Sequence, residues 1–444
     1  MDENTPHHSL RKVLGLAFGL AVVVGSTIGV GILRAPGSIA ALTPDAGLIL
    51  GCWILMAFYI VLSASSYAEL TTMMPKAGGA YNYIKRAFGN YAGFLNGWFD
   101  FLTNAIAPAY FCIVLGEYCL LVFPQFAGHE KIIALGFLTF FTAIHLPGIK
   151  AGSAVQKTTS AIKIVLFLVL IVGCFLAQPL SADAVQVTGQ MLAGGGIIAF
   201  FKAVQLISGA YDGWMSVSFF AEEDSDPARN IPRSYLLGAA TIGVLYVLIN
   251  AAVLYILPVE AIARSPLAAS EAATAAFGSW SGTFMTAVAI FSLVSILNAY
   301  MLIPSRIMFG LSRDGFFARQ FMAVNRGGTP YRALLLCYAF AFVLICISSF
   351  ETLFAISVFM MTIVTGFAFA SLIRLRYKEP DLPRPYKAFA YPFSTWLALV
   401  VTFILFIGFA VSDQLSLFIV LVFTVVSFAG YKLLVKPDNS DTFD

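Results

Sequence analysis

Apolar residues come in long runs along this chain, separated by short polar connections, and they do not alternate with polar residues. A run of roughly 20 mostly apolar residues is long enough to cross the hydrocarbon of a bilayer as a helix. Such runs fall near 13–41, 46–70, 89–123, 130–147, 158–177, 196–221, 234–257, 282–312, 333–349, 352–374, 391–411 and 414–434; the ninth is short. Backbone groups in lipid must be satisfied within their own segment, so runs without strand alternation predict helices. The pattern therefore predicts an all-α integral membrane protein with twelve transmembrane helices, short connections and no soluble domain.

Composition agrees: 59% of the 444 residues are hydrophobic and 11% charged, against about half apolar in soluble proteins. The placement of charge says more. With the N-terminus in the cytoplasm, twenty-one of the 26 Lys and Arg residues fall on the cytoplasmic side. Arg34, Lys131 and Arg264 fall outside, and Lys163 and Lys202 lie within spans. Basic loops mark the cytoplasmic face, so the tails 1–12 and 436–444 are both expected there. The protein is then expected in the plasma membrane, the inner membrane if the cell is bacterial, with lipid as its surroundings. Arg11 and Lys12 precede an apolar run that continues into a glycine-rich stretch, not a cleavage site, so no signal peptide is expected.

Several classes recede. No Gly-Lys-Ser/Thr phosphate loop is present, which argues against an ATP-driven pump. Four histidines, with His7 and His8 in the tail, are poor material for a polytopic membrane enzyme. No enzyme activity, cofactor, metal or nucleic-acid partner is expected. Cys52, Cys112, Cys119, Cys174, Cys337 and Cys346 all lie in apolar runs without metal-ligand spacing. They read as packing residues, and no disulfide-linked subunit is expected.

Two spans carry interruptions. Residues 25–32 read GSTIGVGI inside the first, and residues 208–214 read SGAYDGW inside the sixth. Gly25 and Gly29 also form a GxxxG, which taken alone reads equally as a close helix contact. Broken helices at matching places in two halves point to the inverted repeats of secondary transporters. Spans 1–5 (13–178) and 6–10 (194–376) are thus expected as repeats of opposite orientation, with spans 11 and 12 (390–435) appended. A helix unwound at mid-membrane exposes N–H groups at the start of its second half, which suit a carboxylate. It exposes C=O groups at the end of its first half, which suit an ammonium or small cation. Both charges of a zwitterionic amino acid could be held this way without a buried ionised side chain, which is costly in lipid. Such irregular backbone survives only where it lines a cavity, which fits an occluded site better than a channel. A polyamine or other organic cation is the runner-up substrate; it would want several acidic pocket residues, and Asp212 is the clear candidate.

Further motifs accompany the breaks: Pro36; YAEL at 67–70 followed by PKAGGAYNYI at 75–84; VQKTTSAIK at 155–163; GAYDGW leading into EEDSDPARNIP at 222–232; and NAYMLIPSRIMFGLSRDG at 298–315. In their order and spacing, over about residues 11–435, the chain resembles the amino acid–polyamine–organocation superfamily, and within it the L-type amino acid transporter-like branch. The resemblance implies the five-plus-five inverted-repeat fold of the leucine-transporter type, with discontinuous helices 1 and 6. It implies sodium-independent exchange or proton symport of neutral amino acids. The substrate carboxylate should meet the amides of Gly29, Val30 and Gly31. The α-amino group should meet carbonyls near Thr27, Ile28, Ser208 and Gly209. Tyr211, Trp214 and Asn298 match positions near the pocket as gate or wall residues.

Lys163 lies about 9 Å, two turns, into span five. From position alone it is either snorkelling or functional. The resemblance implies a tethered cation where sodium-driven relatives hold an ion between spans one and eight. A buried lysine can also give up its proton, so exchange and proton coupling both stay open. Asp212 departs from the small uncharged residue usual in the family; it could contact the substrate amine, titrate, or point away. Gly209 departs from a Phe that covers the substrate in many L-type relatives, so the lid is either absent or supplied by another aromatic such as Tyr300 or Phe200. Arg34 could pair with a carboxylate, draw anionic groups inward or reach external water, the last being favoured, and Lys202 matches no family position. Asp100 is expected to pair with a basic residue, Glu117 to face water and His145 to be packed or interfacial rather than a ligand. Glu69, Glu222 and Glu223 with Arg229 and Arg306 form either an inner gate of ion pairs or a solvated loop network.

Overall fold

The computed structural model describes residues 12, 14–180 and 196–434. Most of the predicted N-terminal tail, the C-terminal tail and the connection 181–195 lie outside the described residues. The first predicted span is two helices, α1 (Leu16–Thr27) and α2 (Val30–Leu42). It is followed by α3 (Ala46–Met73), α4 (Tyr81–Phe88), α5 (Asn90–Val122), α6 (Glu130–His145) and α7 (Ile149–Leu176). The sixth predicted span is α8 (Ile197–Ala210), a turn, and a 3-10 helix over Ser216–Glu223. Then come α9 (Pro227–Ile256), α10 (Val259–Arg264), α11 (Ala268–Phe277), α12 (Trp280–Tyr300) and α13 (Ile303–Arg313). The chain closes with α14 (Tyr331–Ile347), α15 (Phe350–Lys378), α16 (Phe393–Ser412) and α17 (Gln414–Leu434).

Among the described residues, nine segments are long and apolar enough to cross a membrane, and Ile197–Ala210 and Tyr331–Ile347 are shorter apolar helices. The protein is a multi-pass, all-helical membrane protein. Its layers follow from burial. The most apolar window of α1–α2 is 82% buried, whereas that of α17 is only 17% buried. The broken segment is therefore central, packed by α7, α9 and α12 on its first half and by α8 and α10 on its second. Helices α16 and α17 turn Phe403, Ile404, Phe418 and Val425 outward. In a soluble protein such a surface would aggregate; in lipid it is the ordinary solvent-facing side.

Two features were not anticipated. The eighth predicted span is also interrupted, at Met301–Leu302 between α12 and α13. Pro304 in the first turn of α13 is its cause, since a proline has no N–H to donate into the preceding turn. The connection from α9 to α12 is not a simple loop but two short helices, α10 and α11, packed across α2 and α7.

Candidate functional site

Helix α1 ends where two hydroxyls turn back on it. The Ser26 hydroxyl lies 2.5 Å from Val22 O and the Thr27 hydroxyl donates to Val23 O at 2.7 Å, contacts that favour local departure from the helix. Ile28 then adopts an extended ψ of 94° and a new helix begins at Val30. The first amides of α2 have no intrahelical acceptor. Helix α8 ends at Ala210, and Tyr211–Met215 turn before the 3-10 segment.

The two interruptions face each other. A Cβ on Gly213 would stand 2.5 Å from Ser26 O, and Gly213 has φ +105°, so both space and backbone demand glycine there. A Cβ on Gly31 would stand 2.2 Å from the Ala210 Cα, so the start of α2 lies directly on the end of α8. The Tyr246 hydroxyl from α9 lies 2.7 Å from Thr27 O and 3.2 Å from Ala210 O, touching a carbonyl from each break.

Lys163 is fully buried. Its side chain does not run to the interface. Its ammonium donates to Gly25 O at 3.1 Å and to Ile28 O. The Ser292 hydroxyl from α12 donates to the same Ile28 carbonyl at 3.0 Å. The Lys163 amine thus sits at the carbonyl end of α1, between the first break and α12. Ile28 O, expected to meet a substrate amine, holds two donors in this conformation; Thr27 O holds one, from Tyr246.

A model of the amino acid permease family matches residues 14–428. The chain belongs to that family. The serine/threonine exchanger SteT of Bacillus subtilis (strain 168) is 29% identical over 421 residues, 93% of this chain and 94% of that protein. The b(0,+)-type amino acid transporter 1 of Mus musculus is 28% identical over 413 residues, 87% of this chain and 82% of the other. The large neutral amino acids transporter small subunit 2 of Homo sapiens is 29% identical over 429 residues, 88% and 77% of the two chains. These relatives are named as transporters and exchangers, not as enzymes.

In this permease a recess of about 620 Å³ reaches the start of α2 at Gly31 and is lined by Arg34, Lys202, Gln205, Phe354, Glu351 and Asp413, among others. Phe354 of α15 separates it from the second break. A Cβ on Gly209 would meet the Phe354 ring at 2.4 Å and Val358 at 2.6 Å. Phe354 thus occupies the space that a larger residue at 209 would take. Tyr300 belongs to the same aromatic group: it packs on Phe111 at 5.1 Å, Phe111 on Tyr110 at 4.5 Å, and Tyr110 on Phe354 at 5.7 Å. Trp214 lies in a separate group, 4.9 Å from Tyr67 and 6.1 Å from Tyr235. The Tyr211 hydroxyl donates to Trp53 O. Ser208, Gly209, Asp212 and Trp214 border a hollow of about 30 Å³, room for little more than a water. Asp212 accepts the Gly213 N–H at 2.8 Å, which shapes the turn. Asn298 donates to Gln156 at 2.9 Å, and Gln156 reaches Ala21 O, so Asn298 ties α12 to α7 and α1.

Two groups of charged residues lie at opposite ends of the breaks. On the arginine-rich face, Arg306 and Glu223 pair at 3.0 Å with both side chains buried. Arg313 pairs with Glu222 at 2.8 Å, and Glu69 takes Arg376 at 2.8 Å and Arg384 at 3.2 Å. Leu14, just before α1, joins this cluster, since its N–H donates to Glu223 O and the Ser225 N–H donates to Leu14 O. Among the described residues, the ion pair of Arg229 is with Asp226, at 3.9 Å on the surface, outside the buried cluster. At the recess, Arg34 does not simply reach water: it pairs with Glu117 at 2.5 Å and Glu351 at 2.7 Å and lies over the Phe350 ring. Asp100 takes its hydrogen bond from Asn104, not from a basic residue. Tyr246, Ser292 and Phe354 were missed in the sequence because each is an uncharged residue within an apolar run. Only the fold shows that they touch a break.

Proposed function

We propose that this permease is a secondary active transporter that exchanges neutral amino acids by alternating access, without sodium. The observation that carries the reading is the face-to-face contact of two interrupted helices in the centre of an apolar bundle. The amides of Gly29, Val30 and Gly31 are the carboxylate ligands, because they open a helix and lack intrahelical acceptors. Thr27 O and the carbonyls of Ser208 and Gly209 at the end of α8 receive the α-amino group once the side chains around them shift. Lys163 supplies a fixed positive charge at the first break, where another transporter would need a bound cation. The paired arginines and carboxylates on the basic face close one route to the site while the recess at Arg34 leads to the other.

The twelve spans, the two inverted repeats and the cytoplasmic position of both termini in the plasma membrane belong to the same proposal. They are supported by the matching positions of the breaks and by the bias of basic residues. Exchange is favoured over proton symport because a relative aligned over 93% of this chain is named as an exchanger. The test is uptake of a radiolabelled neutral amino acid into liposomes holding the purified protein. Uptake is expected to require unlabelled amino acid inside and to ignore sodium. Uptake into empty liposomes driven by a pH gradient would replace exchange with proton symport, and an absolute sodium requirement would overturn the reading of Lys163.

A further inference from the structure

On the basic face, away from the breaks, a hollow of about 400 Å³ lies between α4, the start of α5 and the end of α15. Four basic side chains line it: Lys85, Arg86, Arg374 and Lys378. Two of the four are neutralised, Lys85 by Asp314 at 2.7 Å and Arg86 by Glu379 at 2.7 Å. Arg374 lies over the Phe88 ring at 5.0 Å. Among the described residues, neither Arg374 nor Lys378 has a carboxylate within ion-pair distance. The hollow therefore carries an excess of two positive charges.

The backbone adds donors. Gly89 and Asn90 also line the hollow. The Gly89 N–H is taken by Lys85 O at the end of α4, so the free amides begin at Asn90, which opens α5, a helix of 33 residues whose N-cap has no side-chain hydrogen bond. The α4 and α15 helices end at the same hollow, so their dipoles offset that of α5, and the contribution of α5 is its first unpaired amides. An anion there would meet the two unneutralised cations and the helix start together.

The surroundings distinguish a lipid from a soluble anion. Phe367, 38% exposed, packs edge-on against Phe88 beside the hollow. Tyr91 of α5 packs on Phe428 of α17, which is 47% exposed. Tyr377, next to Lys378, is 81% exposed, as aromatic residues at the headgroup level commonly are. Apolar and aromatic surface thus runs from the mouth of the hollow down the lipid-facing side of the bundle. A free phosphate would gain nothing from it, whereas an acyl chain would lie along it. Basic hollows between membrane helices on the positive side are suited to anionic headgroups.

We propose that this hollow binds the phosphate of an anionic phospholipid in the leaflet on the basic face, with Arg374, Lys378 and the first amides of α5 as its ligands. The site is separate from the transport pathway, so its test does not depend on which substrate moves. The protein would be purified from bilayers containing phosphatidylglycerol and the retained lipid counted by native mass spectrometry, for the wild type and for Arg374→Gln with Lys378→Gln. Each basic residue near a membrane surface changes affinity for anionic lipid about fivefold, so the double change should weaken retention roughly 25-fold. Arg374→Gln alone should weaken it about fivefold, and Arg374→Lys should restore most of it. Titration with inorganic phosphate alone should fail to displace the lipid. Equal retention by wild type and double variant would overturn the site. Displacement by millimolar inorganic phosphate would overturn the lipid as its occupant. If the double variant does not fold, the comparison of Arg374→Gln with Arg374→Lys decides the matter, and equal retention by those two would likewise overturn the site.

Discussion

Replacing Lys163 with alanine is expected to reduce exchange in liposomes at least about tenfold while the protein still folds. The ammonium donates to two carbonyls at the end of α1, Gly25 O and Ile28 O. Charged hydrogen bonds of this kind contribute about 1.5–3 kcal/mol each, and about 1.4 kcal/mol is a factor of ten. The loss falls on the first break, because among the described residues no other charged side chain bonds to Ile28 O. Stability should change less than transport. Burying the ammonium carries a desolvation cost that offsets much of what its hydrogen bonds contribute, and Ser292 still satisfies Ile28 O. The checks are initial uptake rate and thermal unfolding of the same preparation. An unchanged rate would make Lys163 a packing residue.

The second large effect concerns Arg306 and Glu223. Both side chains are almost wholly buried, at 0% and 1% exposure. Arg306 also bonds Leu302 O and Ser305 and lies over the Phe220 ring at 5.3 Å. Replacing Glu223 by Gln, or Arg306 by Ala, leaves one charge buried without its opposite. Such a loss costs about 3–5 kcal/mol. The unfolding transition in detergent should fall clearly for either single change. Exchanging both residues for apolar ones, Arg306→Met with Glu223→Leu, should recover most of that stability, since a well-packed apolar pair often equals a buried ion pair. Transport should not recover with it. A gate must break and reform, and an apolar plug at the foot of α13 would hold the basic face shut. A double variant that transports at the wild-type rate would remove this pair from the gate.

Much of the architecture is legible in the sequence because lipid leaves few options. Long apolar runs have to be helices, and each predicted span has a helical counterpart among the described residues. Both breaks were visible for a second reason: Gly25–Gly31 and Gly209–Gly213 concentrate a residue that disfavours helix, and Asp212 adds a charge where lipid would reject one. Lys163 was visible on the same ground. What was not legible depends on contacts between distant segments. Tyr246 reaches carbonyls of both breaks from α9, 219 residues from Thr27 and 36 from Ala210. Phe354 fills the space over Gly209 from α15. Neither residue is unusual for its own helix, so no local pattern marks it. For Arg34 a carboxylate partner was one option, but the sequence could not name it, because Glu117 and Glu351 lie 83 and 317 residues away. The α12–α13 interruption did leave a signal in Pro304, but without glycines beside it the apolar run looked continuous.

The central claim is that the two opposed helix breaks hold the amino acid by their backbone. The most direct measurement is a high-resolution density map of the protein with a bound neutral L-amino acid. The account predicts its carboxylate within hydrogen-bond distance of the amides of Gly29, Val30 and Gly31, with the α-amino group turned toward Thr27 and the end of α8. Density for the amino acid confined to the recess beside Arg34 and Lys202, with the breaks closed on each other beneath it, would contradict the account.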